Sequence, residues 1–204
     1  MNKPDFVYED AARANGYLNV CGVDEAGRGP LAGPVYAAAV ILPENCEIEG
    51  LNDSKKLTEK KREQLFDIIT EVAVAYCVAS ATVDEIESVN ILNATYLAMN
   101  RAINGLKIKA DYALIDGNRV PKEIKIPCET VVKGDAKSYS IAAASVLAKV
   151  SRDRYIVGLD EAYPQYNFKK HKGYGTKEHI DALIKYGPCE IHRPSFLTKI
   201  LGKK

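Results

Sequence analysis

Apolar residues along the chain collect in five short runs, separated by longer stretches where they recur every three or four positions. The runs at 18–23, 35–42, 73–81, 111–115 and 128–133 predict β-strands. Pro43 stops the second of them. Thr58 followed by the charged, periodically apolar segment 59–69 predicts an N-capped amphipathic helix. Segment 90–106 predicts another, with Leu92, Tyr96, Met99 and Ile103 on its apolar face. A long helix is predicted over about 139–163, where Ala142, Ala143, Ala144 and Ala148 allow close packing on a sheet. Its later part, 149–154, turns charged and is expected to leave the core. Segment 176–186 predicts a final helix, ended by Gly187-Pro188.

Three strands in direct succession form an antiparallel meander, whereas the later two are reached through helices and join in parallel. The expected fold is α/β: a five-stranded mixed sheet flanked by helices, with a helical C-terminal part. A site is expected at the carboxyl ends of the parallel strands.

The length of 204 residues fits a single domain. Its core is expected over about 1–160, with a helical substrate-binding part over 161–204. The longest apolar run, 35–42, falls short of the roughly 18 residues a membrane span needs. The first ten residues are polar and acidic, unlike a signal peptide. Cys21, Cys46, Cys77, Cys128 and Cys189 are odd in number and form no C-x-x-C pair, so a reduced, cytoplasmic protein is expected. His171, His179 and His192 look too scattered for a zinc site. His171 is expected to assist the basic patch, the other two to be structural. A net charge of +1 excludes a broadly basic coat, so a polyanion would be held by a local patch such as 169–177.

Chemistry concentrates where the first strand runs into Asp24-Glu25-Ala26-Gly27-Arg28-Gly29. Three glycines and two prolines crowd into residues 27–34, which argues against an idle solvated turn. Carboxylates there are hard-cation ligands, and an arginine between glycines suits phosphate. Asp116 ends the fourth strand. Taken alone, Asp116-Gly117 also reads as an ordinary turn. Asp135 precedes the alanine-rich helix, so it reads equally as a site residue or as a helix N-terminal acid. Neighbouring Asp24 and Glu25 point to opposite faces of a regular strand, so both reach one site only if the strand ends or bulges there. Clustered carboxylates repel one another. Two Mg²⁺ or Mn²⁺ ions roughly 4 Å apart would neutralise them, one activating a water and the other stabilising a leaving 3′ oxygen.

With these motifs in this order, the chain resembles the ribonuclease HII family. The resemblance rests on Asp24-Glu25-Ala26-Gly27-Arg28-Gly29 with Leu31-Ala32-Gly33-Pro34, and on Asn52-Asp53-Ser54-Lys55-Lys56-Leu57. It extends through Asp116-Gly117, the 140–150 helix with Arg152-Asp153, His171-Lys172-Gly173-Tyr174-Gly175-Thr176 and Ile191-His192-Arg193-Pro194-Ser195-Phe196. It spans about residues 18–197. It implies a ribonuclease H fold and an endonuclease that cuts RNA in RNA–DNA hybrids. It also implies incision 5′ of a ribonucleotide in duplex DNA, leaving 3′-hydroxyl and 5′-phosphate ends. By the same resemblance Asp24, Glu25, Asp116 and Asp135 form the catalytic, metal-binding set. Gly27, Arg28 and Gly29 read the 2′-hydroxyl, and Tyr174 packs on the sugar beyond the junction.

Lys55, Lys169, Lys170 and Lys172 are read as phosphate contacts, or individually as a solvated basic face. The expected partners are RNA–DNA hybrid and ribonucleotide-containing duplex DNA, with no membrane and no obligate protein partner for a monomer. The related ribonuclease HIII group is disfavoured by the short segment before the motif. The ending Gly202-Lys203-Lys204 offers no apolar anchor for a sliding clamp. Two other classes stay open: a metal-dependent phosphohydrolase of small nucleotides, and a non-catalytic hybrid-binding module.

Overall fold

The computed structural model describes residues 3–202. Lys203 and Lys204, on which part of the clamp reading rests, lie outside the described residues. The elements in order are α1 (Val7–Ala14), β1 (Val20–Ala26), β2 (Val35–Ile41), α2 (Glu59–Val72), β3 (Ala75–Ala81), α3 (Val83–Asn104), β4 (Tyr112–Asp116), β5 (Cys128–Val131), α4 (Tyr139–Gly158), α5 (Phe168–His171), α6 (Lys177–Tyr186) and α7 (Pro194–Leu201). Short 3-10 turns occupy Ser54–Lys56, Gly134–Ala136 and Pro164–Tyr166.

The sheet order is β3-β2-β1-β4-β5. The first three strands pair antiparallel, while β4 and β5 join in parallel beside β1. This is the mixed five-stranded sheet expected from the run pattern. Strand β1 continues to Ala26, beyond the predicted end at residue 23, because β2 pairs with it as far as Ala26↔Tyr36. Helix α3 starts at Val83 rather than residue 90. Thr82 and Glu85 form a reciprocal capping box there, and Asn90, at φ 68°, kinks the helix at the predicted start. Helix α4 stops at Gly158, short of residue 163. Helices α1 and α7, each eight residues, escaped the periodicity reading.

Helix α3 covers one face of the sheet, packing Ala94, Ala98 and Met99 against Cys21, Val23, Ala37 and Ala39. Helices α2 and α4 cover the other, with Leu65, Ile69, Ala142 and Ala143 against Ala38 and Val40. Leu65 is fully buried, and Leu65→Ala should destabilise by about 2–5 kcal/mol. Gly22 permits the tight seating of α4, since a Cβ there would lie 2.2 Å from the Ile141 backbone nitrogen. The charged stretch 149–154 does not leave the core as expected. Val150, Arg152 and Asp153 are buried, because a C-terminal cluster of Leu31, Ile156, Tyr166, Phe168 and Leu183 covers that end of α4. All five cysteines are free.

Candidate active site

Asp24 and Glu25 lie within regular β1, so the expected strand end or bulge is absent. Their side chains leave on opposite faces. Asp24 shares the α4 face with Gly22 and Ala26, and the nearby Ser145 hydroxyl favours its charged form. Glu25 shares the α3 face with Cys21 and Val23 and lines a cavity of about 250 Å³ with Arg28, Leu92, Tyr96 and Met99.

What unites the two is the end of β4. Its last pairing with β1 is Val23↔Ile115, so the sheet opens beside Asp24 just where Asp116 emerges. Asp116 lines the Glu25 cavity and also a second one of about 360 Å³ with Asp53, Lys55, Lys133 and Asp135. The backbone N–H of Gly134 donates to Asp116 Oδ1 at 2.6 Å, tying the turn that carries Asp135 to β4. The four acids therefore wrap around one gap in the sheet.

Their electrostatics show the strain of that arrangement. Burial, then the charges of Glu25 and Asp116, push the Asp24 carboxyl well above its usual range. Burial raises Glu25 too, opposed by Arg28, whose Nη1 lies 3.3 Å from Glu25 Oε1. Asp135 is raised by burial and by the charges of Asp116 and Asp53. Lys55 answers them. Burial pulls its pKa down, yet Asp24, Asp135, Asp53 and Asp116 together hold it above the usual lysine range. Its Nζ lies 3.7 Å from Asp135 Oδ2. Among the described residues no three His, Cys, Asp or Glu side chains are already gathered around a metal-sized point. The all-oxygen donor set nonetheless suits a hard divalent cation, whose charge would relieve the repulsion.

The basic residues divide. Lys55 belongs to the acidic gap. Lys169 pairs with Asp160 at 3.4 Å, Lys170 with Glu178 at 2.6 Å and Lys172 with Glu59 at 3.6 Å. Lys169 and Lys170 are exposed, and pairs of that kind are worth little, whereas Lys172 is largely buried and its Nζ also donates to the Lys169 carbonyl. Tyr174 is 40% exposed, its ring flanked by Lys149 Nζ at 5.3 Å and the Arg152 guanidinium at 5.5 Å. Gly27 takes φ 96°, and a Cβ there would lie 2.4 Å from Arg152 Nε. Only glycine fits both the backbone and the space.

A ribonuclease HII family model matches residues 21–199. The chain belongs to the ribonuclease HII family. Ribonuclease HII of Caldicellulosiruptor bescii is 58% identical over 97% of this chain and 95% of its own length. The crystal structure of ribonuclease H2 from Pyrococcus horikoshii superposes with a TM-score of 0.74 at 31% identity, covering 90% of this chain and 97% of that one. The PCNA:RNase HII complex from Archaeoglobus fulgidus supplies a further match of the fold, with a TM-score of 0.68 at 24% identity over 87% of this chain and 94% of that one. The ribonuclease H-like fold and membership of this nuclease family follow. No helix among the described residues is long and apolar enough to cross a membrane.

Sequence reasoning missed four residues that shape the site. Asp53 accepts the Lys55 backbone N–H at 2.9 Å and faces Asp135. Ser145 contacts both Asp24 and Ser54. Arg152 and Arg193 are wholly buried beneath the turns that carry Arg28 and Tyr174. The quoted motifs contain all four, but nothing in the spacing marks a buried arginine. The three histidines are not scattered in space. His171 stacks on His179 at 4.4 Å between centroids, and His179 Nε2 lies 3.0 Å from His192 Nε2. His171 is buried rather than part of the basic face.

Proposed function

We propose that this chain is a divalent-metal-dependent endoribonuclease. It hydrolyses the RNA strand of RNA–DNA hybrids and incises 5′ of a ribonucleotide embedded in duplex DNA, leaving 3′-hydroxyl and 5′-phosphate ends. The observation that carries this reading is the convergence of Asp24, Glu25, Asp116 and Asp135 on one gap of the sheet, beside the Gly27-Arg28-Gly29 turn. Bound there, two Mg²⁺ or Mn²⁺ ions would supply the nucleophile and the charge neutralisation for phosphodiester hydrolysis.

The chain's own residues do the rest. Asp116, lining both cavities, ties the Glu25 side to the Asp135 side. Arg28, 51% exposed and anchored to Glu25, faces outward to meet the sugar-phosphate backbone next to the acids. Gly27 and Gly29 let that backbone approach closely enough for the 2′-hydroxyl to be sensed, the group that separates RNA from DNA. Tyr174 offers an open ring face for a sugar. Lys55, Lys169, Lys170 and Lys172 take phosphates, Lys55 nearest the acids.

The test is cleavage of a labelled RNA–DNA hybrid with Mg²⁺, with Mn²⁺ and with chelator, alongside a phosphate-release assay on free nucleotides. Metal-dependent hybrid cleavage without phosphate release supports the proposal. Phosphate release without hybrid cleavage would replace it with a nucleotide phosphohydrolase. Hybrid binding without cleavage would replace it with a binding module.

A further inference from the structure

A single antiparallel bridge, Ala32↔His192, ties the end of the 27–33 turn to the C-terminal segment, and one buried guanidinium gathers the carbonyls of the rest. Arg193 Nε donates to Gly33 O at 2.8 Å, and Nη2 donates to Gly27 O at 2.7 Å. Nη1 donates to Arg28 O at 3.0 Å and to Pro30 O at 2.9 Å. Four carbonyls of one turn thus converge on one side chain that is fully buried. Arg152, equally buried, performs the same task between turns. Its Nη1 donates to Lys172 O at 2.9 Å, its Nη2 to Ala32 O at 3.2 Å, and its guanidinium lies beside the Tyr174 ring. Backbone bonds complete the joint: Leu31 N–H donates to Gly173 O at 2.8 Å, and Arg193 N–H to Leu31 O at 2.9 Å.

Burying two guanidiniums is expensive, and apolar residues of similar volume would serve stability at least as well. What a guanidinium adds is a rigid planar fork of five donors, which fixes several carbonyls in one geometry. Burial, reinforced by the neighbouring Arg152 charge, pulls the Arg193 pKa down to about 9, so it still carries its charge at neutral pH. The beneficiaries are the two turns that carry Arg28 and Tyr174.

We propose that Arg193 and Arg152 are positioning residues that lock the 27–33 turn to the 172–174 turn, so that both engage a ribonucleotide junction as one rigid reader. This rests on the proposed roles of Arg28 and Tyr174. A displacement of about 1 Å in such a reader can lower turnover about 100-fold.

The experiment compares kcat/KM on a duplex with one ribonucleotide and on a long RNA–DNA hybrid. The variants are Arg193→Lys, Arg152→Lys and Arg28→Ala, with Arg28→Ala also built into each lysine variant. Circular dichroism at assay temperature confirms folding, and Arg152→Lys carries the test if Arg193→Lys does not fold. The lysine variants should lose about 100-fold on the single ribonucleotide. The hybrid should suffer far less, since it presents a ribose in every register. Arg28→Ala should then cost less in a lysine background than in the parent, because the turn it acts through is already loosened. Equal losses on both substrates, with additive effects, would reduce the arginines to fold stabilisers and overturn the inference. If Arg28→Ala shifts the substrate ratio and the lysine variants do not, positioning alone falls. If Arg28→Ala leaves the ratio unchanged, the junction reading itself falls.

Discussion

The carboxylates of Asp24 and Glu25 leave β1 on opposite faces of the sheet, yet both feel the charge of Asp116. The sheet makes this possible by ending β4 one residue after its last pairing with β1, so the carboxylate at its tip is felt on both sides. Repulsion among these buried acids is a local destabilisation that a bound divalent cation would remove.

Asp24→Asn should therefore act oppositely on stability and activity. Without divalent cations it removes a buried repulsion, and the melting temperature should rise by roughly 2–4 °C for each kcal/mol relieved. Mg²⁺ should stabilise the parent protein and stabilise the variant much less. Hybrid cleavage should fall by about 10³-fold or more, with hybrid binding retained. Thermal unfolding with and without Mg²⁺, paired with a cleavage assay, checks both halves. Retained turnover would remove Asp24 from the metal role.

Arg28→Ala should weaken the choice of ribose over deoxyribose. Loss of a charge-assisted contact corresponds to roughly a 10- to 100-fold drop in that preference. Its Nη1 is also the cation beside Glu25, so the Glu25 carboxyl should become harder to ionise in the variant. Competition between matched duplexes with and without the ribonucleotide measures the preference. An unchanged ratio refutes the readout.

Tyr174→Ala should impair cutting at a single ribonucleotide by about tenfold more than cutting of long hybrids, in line with the worth of one stacking contact. The ring is 40% exposed and packs beside the buried Arg152 guanidinium, so a moderate fall in unfolding temperature accompanies the change and the ratio between the two substrates carries the test. Equal losses on both substrates would deny it a junction-specific part.

The histidine cluster predicts an acid limit. His179 Nδ1 lies 2.9 Å from the Tyr174 carbonyl, and the Gly173 N–H donates to His171 Nδ1 at 3.2 Å. Burial pulls the pKa of His179 and His192 from 6.5 down to about 4. As pH falls below about 6.5, the unfolded chain takes up protons that the folded chain refuses until about pH 4. Stability is complete above that window and is lost through it. The raised Asp24, Glu25 and Asp135 carboxyls act the opposite way, since the folded chain protonates them first as pH falls. The histidine share is therefore read by difference: in a melting-temperature series from pH 8 to pH 4, His192→Asn should lose less stability below about 6.5 than the parent. Identical pH profiles would contradict the account.

Much of this was legible in the amino-acid pattern, because short continuous apolar runs and capped helices are local properties. Thr58 and Thr176 cap the helices where the sequence placed them. The four acids were legible because each stands beside a glycine turn or at a strand end. Arg193 was not. Its role depends on carbonyls some 160 positions away in the chain, and in the sequence it is indistinguishable from a surface arginine. The stretch 149–154 misled for the same reason, since charge predicts exposure only when no distant element supplies partners. The histidines misled because separation in sequence says nothing of distance across the C-terminal helices.

The central claim is tested most directly by incubating the protein with a DNA duplex that carries one ribonucleotide, with Mg²⁺ and with chelator, beside an all-DNA control. The account predicts a single nick 5′ of the ribonucleotide, present only with the metal and absent from the control. Cutting without the metal, cutting of the control, or no nick at the ribonucleotide would contradict it.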